Sequence, residues 1–185
     1  MGYCTLVHLY SANATIYISP NCYVIMLEGL CISHSDDQFE TPSDLMEWLN
    51  SSLRNTHGGY YRFRTGPKLK ALESGSIVLF YKKNLIVGSA VVEKASRPLK
   101  PDEKDRCDEI HGTDNNCSGL ENIIKFFPNS IWVWNEQELV DADEFEEITG
   151  CKLKYYVSIK PEHVLEIFNL VAKKREEMEA SFKPC

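Results

Sequence analysis

The sequence predicts an α+β fold, a partly closed β-barrel with two or three flanking helices, and three observations predict it. Short apolar or alternating runs of strand length outnumber helical periods. Two of them, Ser76–Tyr81 and Leu85–Glu93, are joined by Lys82-Lys83-Asn84, which reads as a hairpin. The two clear helical periods lie on either side of that hairpin, one before it and one near the end of the chain.

The elements follow in order. Residues 3–10 and 14–18 alternate as strands, with Ser19-Pro20-Asn21 as the turn that follows. Cys22–Ile32 is an apolar run, read as a buried strand bent at Gly29, and His34 to Glu40 is a polar loop. Thr41 is a natural N-cap, Pro42 suits the first helical position, and Asp44 falls three residues on, close to a capping box. Leu45, Trp48, Leu49 and Leu53 then give a helical stripe that places Trp48 in the core, and His57-Gly58-Gly59 ends it. Tyr60–Thr65 reads as a strand, Leu69 and Leu72 as a short turn, and Gly75 leads into the hairpin. Residues 99–119 form a long polar loop, Leu120–Phe127 a short helical turn, and Ser130–Asn135 and Tyr155–Ile159 two more strands. Pro161 opens a final helix with Val164, Leu165, Phe168 and Val171 on its apolar side. From Lys173 onward the sequence is polar with almost nothing to bury, so residues 1–172 read as one domain and 173–185 as a helical tail.

A chain of 185 residues with 43% apolar and 25% charged residues has the makings of an ordinary globular core. No run reaches the length of a membrane span, and the start lacks the basic segment of a signal peptide. Leu6 stands where myristoylation needs Ser or Thr. Seven scattered cysteines without a Cys-x-x-Cys match reduced, cytoplasmic thiols. Cys107, His111 and Cys117 lack the fourth ligand and regular pairing of a zinc site, so no metal or other cofactor is expected. No Ser-His-Asp or Cys-His order and no general acid–base pair stands out, so the chain is read as a binding module and not as an enzyme.

Charge is the sharpest functional signal. From Arg54 to Lys100 there are ten Lys or Arg against Glu73 and Glu93, a net charge of +8 that leaves −15 for the rest of a −7 chain. Segregation of that size, with aromatics interleaved, is the footprint of a surface for a polyanion. The alternative is a solvated face whose lysines protect strand edges.

Within this segment Pro67–Val92 reads PKLKALESGSIVLFYKKNLIVGSAVV, preceded by a helix and an aromatic segment, with Gly75 before one strand and Gly88 inside its partner. This arrangement resembles the EVE and YTH branch of the PUA-like domains over roughly residues 22–94, with the late Trp-containing strand and the terminal helix as further support. The resemblance implies a reader that flips a modified base into an aromatic pocket. It places one cage aromatic just after the helix, at Tyr60 or Tyr61, and a second at Trp132 or Trp134. Among proteins with such a module, the N-terminal domains of McrB-type methyl-directed restriction GTPases are the most similar. The polar terminal helix is what a domain cut from a longer protein would show, and no G-x-x-x-x-G-K-[ST] motif is present.

The candidate residues carry matching chemistry. A flipped base has two π faces, and stacking contributes about 1–3 kcal/mol per base. Tyr60 and Tyr61 are adjacent in a strand, so only one can face the pocket or the core. Trp132 and Trp134 share a face opposite Ile131 and Val133, and either form an exposed binding pair or pack under the terminal helix. Arg62 and Arg64 alternate outward to suit phosphates, joined by Lys68, Lys70, Lys82 and Lys83. The expected partner is DNA carrying methyladenine or methylcytosine, in a restriction system with further domains or subunits. RNA is the alternative within the same fold, and a partner protein is the alternative outside it.

Overall fold

The computed structural model describes residues 5–7, 16–18, 29–64, 67–105 and 121–181. Strands β1 (Thr5–Val7) and β2 (Ile16–Ile18) pair antiparallel as a two-stranded ribbon. The main sheet contains β3 (Gly29–Ser33), β4 (Tyr60–Phe63), β5 (Ile77–Lys82), β6 (Leu85–Pro98), β7 (Asn122–Phe126), β8 (Trp132–Val133), β9 (Val140–Asp141) and β10 (Tyr156–Ile159). Its order is β10-β3-β5-β6-β7-β4, with β8 and β9 also pairing to β6. All pairs are antiparallel except β3 with β5. The class is α+β and the sheet is open. Among the described residues β4 and β10 are its edges, and no ladder joins them into the expected partly closed barrel.

Local chemistry sets the elements. Helix α1 (Pro42–Glu47) starts with the anticipated box: Asp44 N donates to Thr41 Oγ1 at 3.2 Å, and Thr41 N donates to the Asp44 carboxylate at 2.7 Å. It continues as a π-helix over Trp48–Thr56, where His57 N donates to Ser52 O at 2.7 Å. Lys83 and Asn84, with φ of 47° and 64°, make the two-residue turn whose twist matches the β5–β6 hairpin. Helix α4 (Ala142–Thr149) is capped by Asp141 and ends at left-handed Gly150. Short helices α2 (Pro67–Lys70) and α3 (Pro101–Asp105) and the long α5 (Pro161–Ser181) complete the fold.

The central strands β3, β5 and β6 are buried on both faces. One face packs Leu30, Val78, Phe80, Ala90 and Val92 against Leu45, Leu49 and Leu53 of the first helix. The other packs Cys31, Leu79 and Ile86 against Trp134, Phe145 of α4 and Val164, Ile167 and Val171 of α5. A register shift after Phe80 opposes Tyr81 to Ile86 and Phe80 to Gly88, so Val87 is the extra residue. It changes the phase of β6, sending Ile86 to one core and Ala90 and Val92 to the other. A Cβ on Gly88 would stand 2.5 Å from Trp132 O, so only glycine lets β8 lie against β6.

Several sequence expectations need correction. Asn122–Phe126, expected within a helical turn, is a strand between β6 and β4. Gly29 is the first described residue of β3, where a Cβ would meet Val164 Cγ2 at 2.5 Å, and the run before it that would show the expected bend lies outside the described residues. The strand after Leu85 runs to Pro98 and not to Glu93, and the late Trp segment is a strand only at Trp132–Val133. Leu165 faces solvent while Ile167 is buried. The polar end of the last helix is also anchored: Lys174 pairs with Glu144 at 2.6 Å, and Arg175 with the buried Glu138 at 2.5 Å. The expected turn at 19–21, most of the Cys22–Ile32 run and the Cys107, His111, Cys117 set lie outside the described residues.

Gly58 and Gly59 provide a matched test. Both have positive φ, but a Cβ on Gly58 meets nothing, whereas one on Gly59 would lie 2.2 Å from Phe126 O. Gly58→Ala is expected to cost about 1 kcal/mol for left-handed backbone alone. Gly59→Ala should cost about 3 kcal/mol or more, because the β4–β7 junction must also move. Urea unfolding midpoints of the two variants check the difference.

Candidate nucleic-acid interface

Strands β4, β7 and β6 form a ribbon whose outer face gathers the basic residues. Residues directly opposite in an antiparallel ladder share a face at spacings of about 5 Å. Arg62 lies opposite Ile123, and Ile123 opposite Arg97, which makes one row. Tyr60 lies opposite Lys125, and Lys125 opposite Lys94, which makes the next. Exposed Arg64 follows Arg62 at the same alternation just past β4. Lys125 Nζ sits 5.4 Å from the centre of the Tyr60 ring and 2.7 Å from Glu93 Oε2. The Glu93 carboxylate raises the Lys125 ammonium, against a smaller effect of burial, so the cation is held charged. Arg97 binds Glu103 with both nitrogens of its fork, Nη1 to Oε2 at 2.6 Å. Those hydrogen bonds hold the Glu103 carboxyl down to about 2, assisted by the Lys100 backbone N–H.

The residues named from the sequence do not all meet here. Tyr60 is 37% exposed on the outer face, while Tyr61 points inward against the first core, as strand alternation requires. Arg62 is on the outer face yet only 4% exposed, which corrects the expectation of a solvent-facing side chain. Lys68 and Lys70 are exposed on α2, where Lys68 Nζ donates to Tyr156 O at 3.1 Å. Lys83 is exposed at the hairpin tip, but Lys82 is buried and bound to Asp36 and the His34 carbonyl, so it is not a free phosphate ligand. Trp132 and Trp134 are not an exposed pair: Trp134 is 0% exposed, and Trp132 stacks on Phe168 of α5 with an interplanar angle of 2°. They belong to the second core, so the structure does not bring them to either tyrosine. Lys125 was missed because its segment reads as a helical turn; the strand-like spacing of Ile123, Lys125 and Phe127 was the available signal.

A second feature lies inside the curl of the sheet. The rings of His34, Phe39, Trp48 and Tyr61 contact one another in a closed cycle, at centroid distances of 5.5, 5.4, 6.2 and 6.0 Å. Phe39, Trp48 and Tyr61 remain half-buried, and the Tyr61 hydroxyl lies 3.3 Å from His34 Nε2. Burial raises the Tyr61 phenol, and Tyr156 on the opposite edge strand adds to the effect. Burial pushes the His34 imidazole down to about 4, opposed by a hydrogen bond with the Tyr81 backbone and assisted by the Lys82 charge. Among the described residues no three His, Cys, Asp or Glu converge to hold a metal ion. No described helix is long and apolar enough to cross a membrane.

No protein-family model matches the chain, and no curated protein matches its sequence. Among solved structures, ASCH from Zymomonas mobilis has a TM-score of 0.49 at 12% identity, over 77% of this chain and 94% of that one. A protein from Agrobacterium tumefaciens has a TM-score of 0.46 at 12% identity, over 78% of this chain and 93% of its own. A protein from Pseudomonas syringae has a TM-score of 0.46 at 13% identity, over 77% and 99%.

The buried imidazole makes stability depend on pH. An unfolded histidine takes up a proton near pH 6.5, whereas His34 in the fold resists until about 4. Stability is therefore complete above 6.5 and is lost as pH falls toward 4, by up to about 3 kcal/mol. The depressed Glu103 carboxyl acts in the lower window, from 4.5 down to about 2. Urea midpoints at pH 7.0 and 5.0 should differ in the native chain and converge in His34→Gln.

Proposed function

We propose that the chain is a PUA-like nucleic-acid-binding module that holds the phosphate backbone on the outer face of β4, β7 and β6. The observation that carries this reading is the pair of cross-strand rows, Arg62–Ile123–Arg97 and Tyr60–Lys125–Lys94, continued by Arg64. Five cations and one exposed aromatic ring share a strip three strands wide, and among the described residues only Glu93 and Glu103 pair with cations of that strip. Cations neutralise phosphates and release counterions, while an accessible ring stacks on a base. The aromatic and basic run around Tyr60 and its resemblance to EVE and YTH modules point the same way. The chain acts in this reading as a binding module, with any catalysis in other domains or subunits.

Fluorescence polarisation with labelled single-stranded and duplex oligonucleotides tests the proposal. Lys94→Glu combined with Lys125→Ala should weaken binding at least tenfold and flatten the dependence of log Kd on log salt. Tyr60→Ala should cost about 1–3 kcal/mol with the slope unchanged. No binding at low salt to DNA or RNA would refute the reading and turn attention to a protein partner.

The finer proposal is that the bound strand carries a modified base, such as methyladenine or methylcytosine. Its support is the aromatic cycle, which offers Phe39, Trp48 and Tyr61 half-open beside His34 in place of the Trp132 and Trp134 cage. Matched duplexes, unmodified or methylated, should differ at least tenfold in Kd, about 1.4 kcal/mol. Trp48→Ala should abolish that preference, and equal binding of all duplexes would remove the modified base from the function.

A further inference from the structure

We propose that Arg62, with Arg97 beside it, is a receptor for one phosphate group, and that the Glu103 carboxylate occupies the place of that phosphate in the unliganded protein. Arg62 is 4% exposed, and its Nε, Nη1 and Nη2 have no hydrogen-bond partner among the described residues. A guanidinium carries five N–H donors in a planar fork, and burying it without an acceptor is strongly unfavourable. The other described buried ions are paired: Lys82 with Asp36, and Glu138 with Arg175. The exception sits in the basic row of the ribbon.

The surroundings of Arg62 define what would satisfy it. Arg97 lies two cross-strand steps away over Ile123, roughly 10 Å between backbones, so two long side chains can converge on one anion. Glu103 is already bidentate on Arg97; burial lowers the Arg62 guanidinium, and the Glu103 charge opposes this only in part and without bonding to it. Burial, and after it the Arg62 charge, lowers the His57 imidazole. A carboxylate has two oxygens, and both are taken by Arg97. A phosphate offers more oxygens and more charge, and can bind both forks at once. The ligand class is a phosphomonoester or phosphodiester. Only its origin in a nucleic-acid backbone rests on the function proposed above.

The test uses the whole chain with two probes, inorganic phosphate and a short single-stranded thymidine oligonucleotide, read by thermal unfolding and by calorimetric titration. Both probes should raise the unfolding midpoint of the native chain. Arg62→Met should lose the effect of phosphate and weaken the oligonucleotide at least tenfold. Without probe, Arg62→Met should unfold at the same temperature or higher, since it removes an unpaired buried charge; a clear drop would make Arg62 a structural residue and overturn the proposal. Glu103→Gln should bind phosphate about tenfold tighter. Oligonucleotide binding that ignores Arg62 would overturn the receptor and leave the nucleic-acid reading intact. Phosphate binding through Arg62 with no oligonucleotide binding would support the receptor and assign it to a small phosphorylated ligand in place of the thymidine backbone. Binding of neither probe would overturn it.

Discussion

The structure depends on one strand, β6, and on the places where its ladder slips. Leu85–Pro98 pairs with β5, β7, β8 and β9, so four of the other strands of the main sheet are registered directly against it. A strand of 14 residues cannot stay flat and serve four partners, because its side chains would be locked to two fixed faces. The extra residue at Val87 changes the phase between the two cores, and further register shifts flank Lys94 before Arg97. Bulges bend a strand and increase its twist. Here they carry the chain out of the doubly covered centre and onto the three-stranded ribbon of β4, β7 and β6. Lys94 and Arg97 reach the same face as Arg62 and Lys125 because of that change of direction.

The second constraint is burial on both sides of the centre. Along β8 the alternation of Ile131 and Val133 against Trp132 and Trp134 is readable in the sequence, and it is obeyed: the first two join one core and the last two the other. What the alternation cannot say is whether the second face meets water or another layer. That depends on α5, and Trp132 is closed in by Phe168 stacked on one side and Arg175 4.8 Å from its ring. The same helix explains why its polar end is not idle. Arg175 satisfies Glu138, a carboxylate that could not otherwise be buried, and Lys174 binds Glu144 of α4.

Legibility therefore followed the range of the physics. Features fixed within four residues were readable: the Thr41–Asp44 box, the Lys83-Asn84 turn, and the opposite pointing of Tyr60 and Tyr61. Features decided by distant chain were not. Asn122–Phe126 is strand because β4 and β6 lie on either side of it, and three apolar residues in a short run give no period to tell strand from helical turn. The candidate interface was half visible for the same reason. Net charge located the segment, but only strand pairing separates the rows on the ribbon from Lys82, whose ammonium is buried beside Asp36.

Two buried cations in one small fold show how a charge signal divides into structure and function. The Lys82 ammonium bonds to Asp36 and the His34 carbonyl, which replace the water lost on burial, and the pair ties the hairpin to the loop after β3. Its cost and its compensation are both inside the chain, so nothing further need bind there. Arg62 has the cost without the compensation among the described residues. A fold that spends burial on an unpaired cation in the middle of a basic face has the free energy for anion recognition stored before the anion arrives. By this argument the ribbon is a surface with one selective position in it, and its remaining cations act through the general attraction of a positive face.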